Sequence, residues 1–364
     1  MRRGRVVVTG GAGFIGSHVV DQLIADGRDV TVIDDFSTGR EENLADHRSE
    51  PRLCVERADI TDEDAMRRLL RGADTVYHLA VQCLRLSLYE PAYVHETNAT
   101  GTLNLCIAAL EHDVRRFVYV SSSEVYGSAR RVPMREDHPL NPTTPYAASK
   151  LAGESYALAY AHTHKLPAIV VRPFNAYGPR AHHEGASGEV IPRFALRVMA
   201  GMPPVIFGDG QQTRDFTWVE DTAAGIVRAA DCDRLIGRTV NIAFGQEVTI
   251  QRIAELILEA LGRDDIGIVR EESRPGDVRR HFADTRRARR LLDFAPTVAI
   301  EDGIPRYVGW LRERVADPSR LVQEQDVINW QPPEGAAQTP AGPNALEPVA
   351  TSIPAWQRVM AAAS

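Results

Sequence analysis

A chain of 364 residues has room for one large domain or two of medium size, and 44% hydrophobic with 25% charged residues is ordinary globular composition. A formal net charge of −7, without a basic run or aromatic–basic interleaving, excludes a sequence-independent grip on nucleic acid. No apolar run approaches the ~20 residues of a membrane span, no signal peptide precedes the first strand, and four scattered cysteines (Cys54, Cys83, Cys106, Cys232) lack a C-x-x-C, so a cytoplasmic protein with reduced core thiols is expected, with no membrane partner and no metal.

The first 175 residues alternate short β-branched runs with amphipathic stretches. Strands are predicted at 5–9, 29–34, 53–59, 75–80, 116–122 and 168–174, with helices between them at 14–26, 62–71, 98–112 and 145–164. Several strands are apolar throughout, which suits strands covered on both faces of a parallel sheet. A Rossmann-type, doubly wound α/β domain over 1–175 is therefore expected.

The first strand opens into Gly10-Gly11-Ala12-Gly13-Phe14-Ile15-Gly16. Gly10 permits the tight turn, Gly13 lets the backbone approach a pyrophosphate, and Gly16 lets the helix pack against the strand. Free N–H groups at the helix start, Phe14 and Ile15, face the anion. A glycine trio alone is weak evidence, but between a strand and a helix of a βαβ unit it is a strong dinucleotide signal. The second strand ends in Asp34-Asp35, 18 residues past Gly16. An acid there accepts hydrogen bonds from both adenosine ribose hydroxyls and repels a 2′-phosphate, which favours NAD over NADP. Asp34 is the first choice and Asp35 the alternative; Arg40 is the nearby group able to hold a phosphate instead. Asp59 and Ile60, ending the third strand, are positioned for the adenine.

The fifth strand runs into Ser121-Ser122-Ser123-Glu124, and the next helix carries Tyr146-Ala147-Ala148-Ser149-Lys150. Tyrosine and lysine at i and i+4 share a helix face. A free phenol, with a pKa of ~10, is a poor base at neutral pH, and a nearby ammonium and the positive nicotinamide ring favour its phenolate. Tyr146 can then take a proton from a sugar hydroxyl, with Ser122 bonded to the same oxygen. Lysine occurs only twice in the chain, at 150 and 165, which makes Lys150 conspicuous.

Past Asn175, turn-rich segments at 177–188, 201–213 and 271–277 are mixed with helices near 190–200, 219–230, 249–261 and 300–314. A smaller mixed α/β substrate-binding region over 176–316 is expected, covering the ligand side of the sheet. His182-His183-Glu184 belongs to a loop that orders over substrate rather than to a metal site. Seven prolines and many alanines in 317–364 predict an extended or disordered tail, in which Trp330, Ile353, Trp356 and Val359 are the residues able to dock on a surface.

This ordered set of motifs resembles the extended short-chain dehydrogenase/reductase family, specifically its NAD-dependent nucleotide-sugar epimerases, dehydratases and decarboxylases. The resemblance spans about residues 4–315 and includes His78-Leu79-Ala80, Asn98-Ala99-Thr100-Gly101, Arg172-Pro173-Phe174-Asn175, Thr213-Arg214-Asp215 and Arg274-Pro275-Gly276-Asp277. It implies a catalytic trio of Ser122, Tyr146 and Lys150, and cofactor contacts from Leu79, Ala80 and Asn98. It implies that Asn175, Arg214 and Arg274 hold the sugar-nucleotide diphosphate, a role that suits arginine forks. Val205 and Phe207 would line the nucleobase pocket, Ser123 and Val190 would touch substrate, and the helices at 98–112 and 145–164 would form a homodimer.

Family members of this kind oxidise the sugar at C4 with a tightly held, recycled NAD. The Ser-x-Glu of Ser122 and Glu124 resembles dehydratases and decarboxylases, in which the glutamate serves as a base. Ser123 departs from glucose-type dehydratases, which carry an aspartate there, and resembles mannose-type and some hexosamine-type dehydratases. The stretch 81–91, with Arg85 as a possible anion contact, departs from the decarboxylase pattern. The expectation is an NDP-sugar 4,6-dehydratase, then a 4-epimerase of the UDP-glucose/UDP-galactose type, then a UDP-glucuronate decarboxylase. A non-catalytic NAD-binding sensor would have no need of Ser122, Tyr146 and Lys150, and paired arginines argue against a simple alcohol dehydrogenase.

Overall fold

A computed structural model describes residues 4–184, 189–273 and 278–323. Arg274 and the four apolar tail residues named above lie outside the described residues. The elements in chain order begin β1 (Arg5–Thr9), α1 (Phe14–Ala25), β2 (Val30–Asp34), β3 (Leu53–Arg57), α2 (Glu63–Leu70), β4 (Ala73–His78), α3 (Pro91–His95) and α4 (Gly101–Glu111). There follow β5 (Arg116–Val120), α5 (Pro145–Thr163), β6 (Ala168–Pro173), β7 (Ala176–Tyr177), α6 (Val190–Met199), β8 (Val205–Phe207), β9 (Thr213–Arg214), β10 (Thr217–Trp218) and α7 (Val219–Ala230). The last are β11 (Thr239–Ile242), β12 (Val248–Thr249), α8 (Ile250–Leu261), β13 (Val269–Glu271), β14 (Arg280–His281), α9 (Arg286–Leu292), α10 (Ile300–Arg314) and α11 (Pro318–Gln323).

Seven strands form one sheet in the order β11-β6-β5-β4-β1-β2-β3, every neighbouring pair parallel. The continuous apolar runs are central: β2, β5 and β6 are buried at every position. Helices cover both faces. One core packs Val6, Val8 and Val118 against Val19 and Leu23 of α1, Ile226 of α7 and Leu292 of α9. The other packs Val7, Phe117 and Val170 against Met66 of α2, Leu105 of α4 and Ala157 of α5. This is the expected Rossmann-type α/β architecture. Local chemistry fixes the helix ends: Asp62 caps α2 through the Ala65 N–H at 2.9 Å, Thr144 caps α5 ahead of Pro145, and Gly262, at φ 63°, stops α8.

A third core, around Phe194, Trp218, Ile253 and Tyr307, joins α6, α8 and α10. Three small sheets stand beside it: β10-β7, β12-β9-β14 and β13-β8.

Four features differ from the sequence expectation. Strand β11 is unpredicted; its Val240 pairs with Val171 and completes the sheet. With α7 and α9 it returns chain from beyond residue 175 to the first core, so the two regions interleave. The helix expected at 98–112 begins at Gly101, preceded by α3 and a widened (π) turn over Glu96–Thr100. The expected tail starts as helix α11, because Asp317 accepts the Arg320 N–H at 3.0 Å and Val322 buries its side chain in the third core.

Candidate active site

A cleft of about 900 Å³ opens at the carboxyl ends of β1, β2, β4, β5 and β6, the end of an open α/β sheet where ligands bind. Of the predicted site residues described, all but Asn98 line it.

At one end the main chain shapes a cradle. Gly10 sits at φ 68°, and a Cβ on it would meet the Ala80 nitrogen at 2.6 Å. A Cβ on Gly16 would lie 2.0 Å from the Gly10 carbonyl oxygen, whereas one on Gly13 would meet the same oxygen at 3.1 Å. Gly16 is thus required by packing, while Gly13 leaves the surface in front of α1 open to a ligand. Phe14 and Ile15 follow at the helix start, and no side chain caps the helix. Free N–H groups, a Cβ-free approach and the positive helix end fit the pyrophosphate of a dinucleotide.

Asp34 ends β2, 6% exposed. Its Oδ2 accepts the Ala12 N–H and its Oδ1 the Phe36 N–H, both at 2.9 Å. Burial pushes its pKa up, and these amides pull it back. Asp35 accepts the Ser37 N–H at 2.9 Å and the Ser37 hydroxyl at 2.7 Å. Both acids face the cleft, so a 2′-phosphate would meet two carboxylates. Arg40, the group able to hold such a phosphate, is paired with Glu184 at 2.5 Å. Asp59, Ile60, Leu79 and Ala80 complete this end. The residues present therefore fit NAD.

Asn98 is 1% exposed and is bonded within the protein. Its Oδ1 accepts the Gln82 N–H at 2.8 Å; its Nδ2 donates to the Gln82 carbonyl at 3.2 Å and the Ser149 hydroxyl at 3.0 Å. The Ser149 hydroxyl in turn donates to the Tyr146 carbonyl at 2.8 Å. Asn98 thus ties the loop after β4 to the turn of α5 that carries Tyr146.

In mid-cleft, Ser122 follows β5 in extended conformation and its Oγ accepts the Glu124 N–H at 3.1 Å, opening a tight turn over Ser123–Tyr126. Ser122, Ser123, Glu124, Tyr146 and Lys150 all face the cleft. Burial raises the Tyr146 pKa above the usual phenol value; its hydrogen bond with Ser122 acts against this and the Glu124 charge adds to it. Lys150 is 2% exposed, and burial pulls its pKa down to about 7, opposed by the charge of Glu154. Its Nζ donates to the Val120 carbonyl at 2.7 Å and lies 4.5 Å from the centre of the Tyr119 ring. Among the protein's own groups burial is the largest influence on the Tyr146 phenol, and Lys150 is anchored on β5.

Beneath this trio lies a network that sequence reasoning missed. Glu154, four residues past Lys150, accepts the Ser121 hydroxyl at 2.8 Å and pairs with Arg172 of β6. Arg172 also donates to the Tyr126 hydroxyl at 2.8 Å, which donates to Asn241 of β11 at 2.6 Å. The 146-150-154 spacing on one helix face was a usable signal for Glu154; its partner on β6 was not signalled.

At the far end, Asn175 presents a buried Oδ1 that has no hydrogen-bond partner among the described residues. Arg214 on β9 donates from Nη1 to the carbonyls of Thr213 at 2.9 Å and Val278 at 2.7 Å. Val190 opens α6, and Val205 and Phe207 lie on β8. Arg85 and His182 also line the cleft, while His183 packs edge-on against Trp310. Arg193 and Arg197, one turn apart on α6, line it too and were not anticipated; two arginines at i and i+4 after Val190 were the available signal. Among the described residues, no helix is long and apolar enough to cross a membrane.

Comparison with known proteins gives the same assignment. The model of the NAD dependent epimerase/dehydratase family matches residues 6–243. A dTDP-glucose 4,6-dehydratase of Streptomyces griseus is 39% identical over 311 residues, 84% of this chain and 93% of that protein. A UDP-glucose 4-epimerase of Mycolicibacterium smegmatis is 38% identical over 316 residues, 85% of this chain and 99% of that protein. The solved structure of a dTDP-glucose 4,6-dehydratase of Streptomyces venezuelae with NAD bound superposes with a TM-score of 0.80 at 35% identity, covering 85% of this chain and 97% of that one. With the glycine cradle, the paired acids and the Ser122–Tyr146–Lys150 cluster in one cleft, the chain belongs to the NAD dependent epimerase/dehydratase family of extended short-chain dehydrogenase/reductases and is an NAD-dependent nucleotide-sugar enzyme.

Proposed function

We propose that the protein is an NDP-sugar 4,6-dehydratase. The observation that carries this reading is Glu124, which faces the cleft on the turn begun by Ser122, close enough to Tyr146 for its charge to raise the phenol. Gly10, Gly13, Phe14, Ile15, Gly16, Asp34, Asp59, Ile60, Leu79 and Ala80 would hold the cofactor. Asn175, Val190, Val205, Phe207, Arg214 and Arg274 would hold the nucleotide diphosphate. Residues 1–175, completed by β11, α7 and α9, form the cofactor side in this reading, and the remainder to 316 the sugar-nucleotide side.

Bound NAD supplies an acceptor for the C4 hydride and later returns it. Tyr146 takes the proton of the C4 hydroxyl, Ser122 holds the same oxygen, and Lys150 braces the helix face beneath. In the 4-keto sugar the C5 proton is acidic; Glu124 removes it and passes it to the departing C6 hydroxyl, which leaves as water. Ser123 carries no proton of suitable acidity, so Glu124 acts at both ends of the elimination. That same serine favours a second reading, a 4-epimerase, in which the keto sugar turns over and Glu124 only contacts it. A homodimer through α4 and α5 is part of the proposal; the exposed Tyr156 of α5 supports it.

The test is product mass after incubation with NAD and a panel of nucleotide sugars. Loss of one water supports the dehydratase, and Glu124→Gln should then stop water loss while leaving C4 oxidation measurable. Unchanged mass with a displaced chromatographic peak overturns it in favour of the epimerase.

A further inference from the structure

His281 lies outside the predicted site and outside the cleft lining, yet it stands between the two ends of the machinery. It is 2% exposed and sits on β14, where parallel pairing sets it opposite Arg214 of β9. Its Nε2 lies 3.3 Å from the carbonyl oxygen of Ser123, the first residue of the turn that carries Glu124 and follows Ser122. A carbonyl only accepts, so the contact requires the tautomer with the proton on Nε2. The ring packs on Phe174, centroids 4.9 Å apart, next to Asn175. The two residues that follow it are pinned. The Met134 N–H donates to the Phe282 carbonyl at 2.7 Å, and the buried Asp215 carboxylate, next to Arg214, accepts the Ala283 N–H at 3.2 Å.

The other ring nitrogen shows why histidine stands here. Nδ1 is buried and has no hydrogen-bond partner among the described residues. An unpaired buried acceptor is unfavourable, and a phenylalanine would fill the same space against Phe174 without one. The gain that offsets it is the Nε2–H bond to Ser123. Burial and the Arg214 charge pull the ring's pKa down to about 4, so it remains a neutral donor through the neutral range.

We propose that His281 is a positioning residue that couples the strand bearing Arg214 to the Ser122–Glu124 turn, so that seating of the nucleotide diphosphate sets the reacting side chains. It touches neither sugar nor cofactor. The inference rests on the nucleotide-sugar reading of the cleft but not on which product forms.

The decisive pair is His281→Phe, which keeps the stacked ring and loses the donor, and His281→Gln, whose amide can donate to Ser123 again. Turnover is scored on the substrate and product that the wild-type panel identifies, nucleotide binding by calorimetry with dTDP and UDP, and stability by thermal melting. The expected result is a kcat about ten-fold lower for His281→Phe, with nucleoside diphosphate Kd and Tm near wild type, and most of the kcat recovered in His281→Gln. Unchanged kcat in His281→Phe overturns the proposal, as does a kcat loss that tracks loss of Tm and is not recovered by glutamine. If His281→Phe fails to fold, His281→Leu carries the same readouts. A wrong reaction assignment would show in the wild-type product, whereas a wrong role for His281 would show only in the variants.

Discussion

The two ends of the cleft are built in opposite ways. The cofactor end comes from short contiguous pieces in chain order, each at the carboxyl end of a sheet strand: Gly10–Gly16, Asp34-Asp35, Asp59-Ile60 and Leu79-Ala80. Its function lies in backbone geometry, which glycine and a strand-end acid disclose. The end proposed for the substrate is assembled from α6, β8, β9 and Val278, spread over some ninety residues and held by long-range contacts such as Arg214 to Val278 at 2.7 Å. Variants at the first end should therefore act through fold and cofactor, and at the second through nucleotide binding. In mid-cleft, Ser122 and Tyr146 should touch chemistry alone.

The largest effect expected is on chemistry. Tyr146→Phe should lower turnover by about 10³-fold, the scale of a lost proton-transfer group, while NAD and nucleotide binding stay near wild type. Retained turnover would break the distinction between mid-cleft and its flanks. Next comes Gly16→Ala. A Cβ 2.0 Å from the Gly10 carbonyl cannot be absorbed by a flexible side chain, so a stability loss of about 3 kcal/mol is expected by urea denaturation. Gly13→Ala should fold with little loss and instead weaken NAD binding, measured by titration calorimetry. If the two glycines behave alike, the division between packing and ligand approach is wrong. At the opposite end, Arg214→Gln should weaken dTDP or UDP binding about ten- to a hundred-fold, the effect of losing one charge-assisted contact, with Tm and NAD affinity little changed.

The same contrast explains what the sequence disclosed. Strands β1 to β6 were readable because each is a short run rich in apolar or β-branched residues flanked by turn chemistry, and the pieces lining this end of the cleft sit at strand carboxyl ends. For Asn98 the sequence shows a polar residue near the cleft and nothing of its partners; the bonds to Gln82 and Ser149 come only with the fold. Strand β11 escaped because Thr239–Ile242 alternates within a mixed region, and its partner β6 lies some seventy residues upstream. The Glu154–Arg172 pair escaped because its two halves sit on different elements. Substrate-end residues were reached through motif resemblance, whereas Arg193 and Arg197 belong to no motif and required the fold.

The pH dependence of stability tests whether mid-cleft is as dry as its burial implies. Lys150 titrates at about 7 in the native protein against 10.5 for the free side chain. Between these values the unfolded chain binds a proton that the native state does not, so this group makes stability rise with pH across the window. Below about pH 7 both states are charged and the contribution no longer changes. Lys150→Met removes the titration but also the bond to the Val120 carbonyl, so the absolute stabilities are not the readout; their difference against pH is. Wild type should gain on Lys150→Met steadily between about pH 7 and 9.5 by urea denaturation, a window that stays below the usual phenol pKa of ~10, where Tyr146 would begin to contribute with the opposite sign. Parallel curves would mean that water reaches the amine as it does an exposed lysine. The reason to tolerate such a residue would then be lost, since a lysine that costs native stability at neutral pH belongs where function, not packing, selects it.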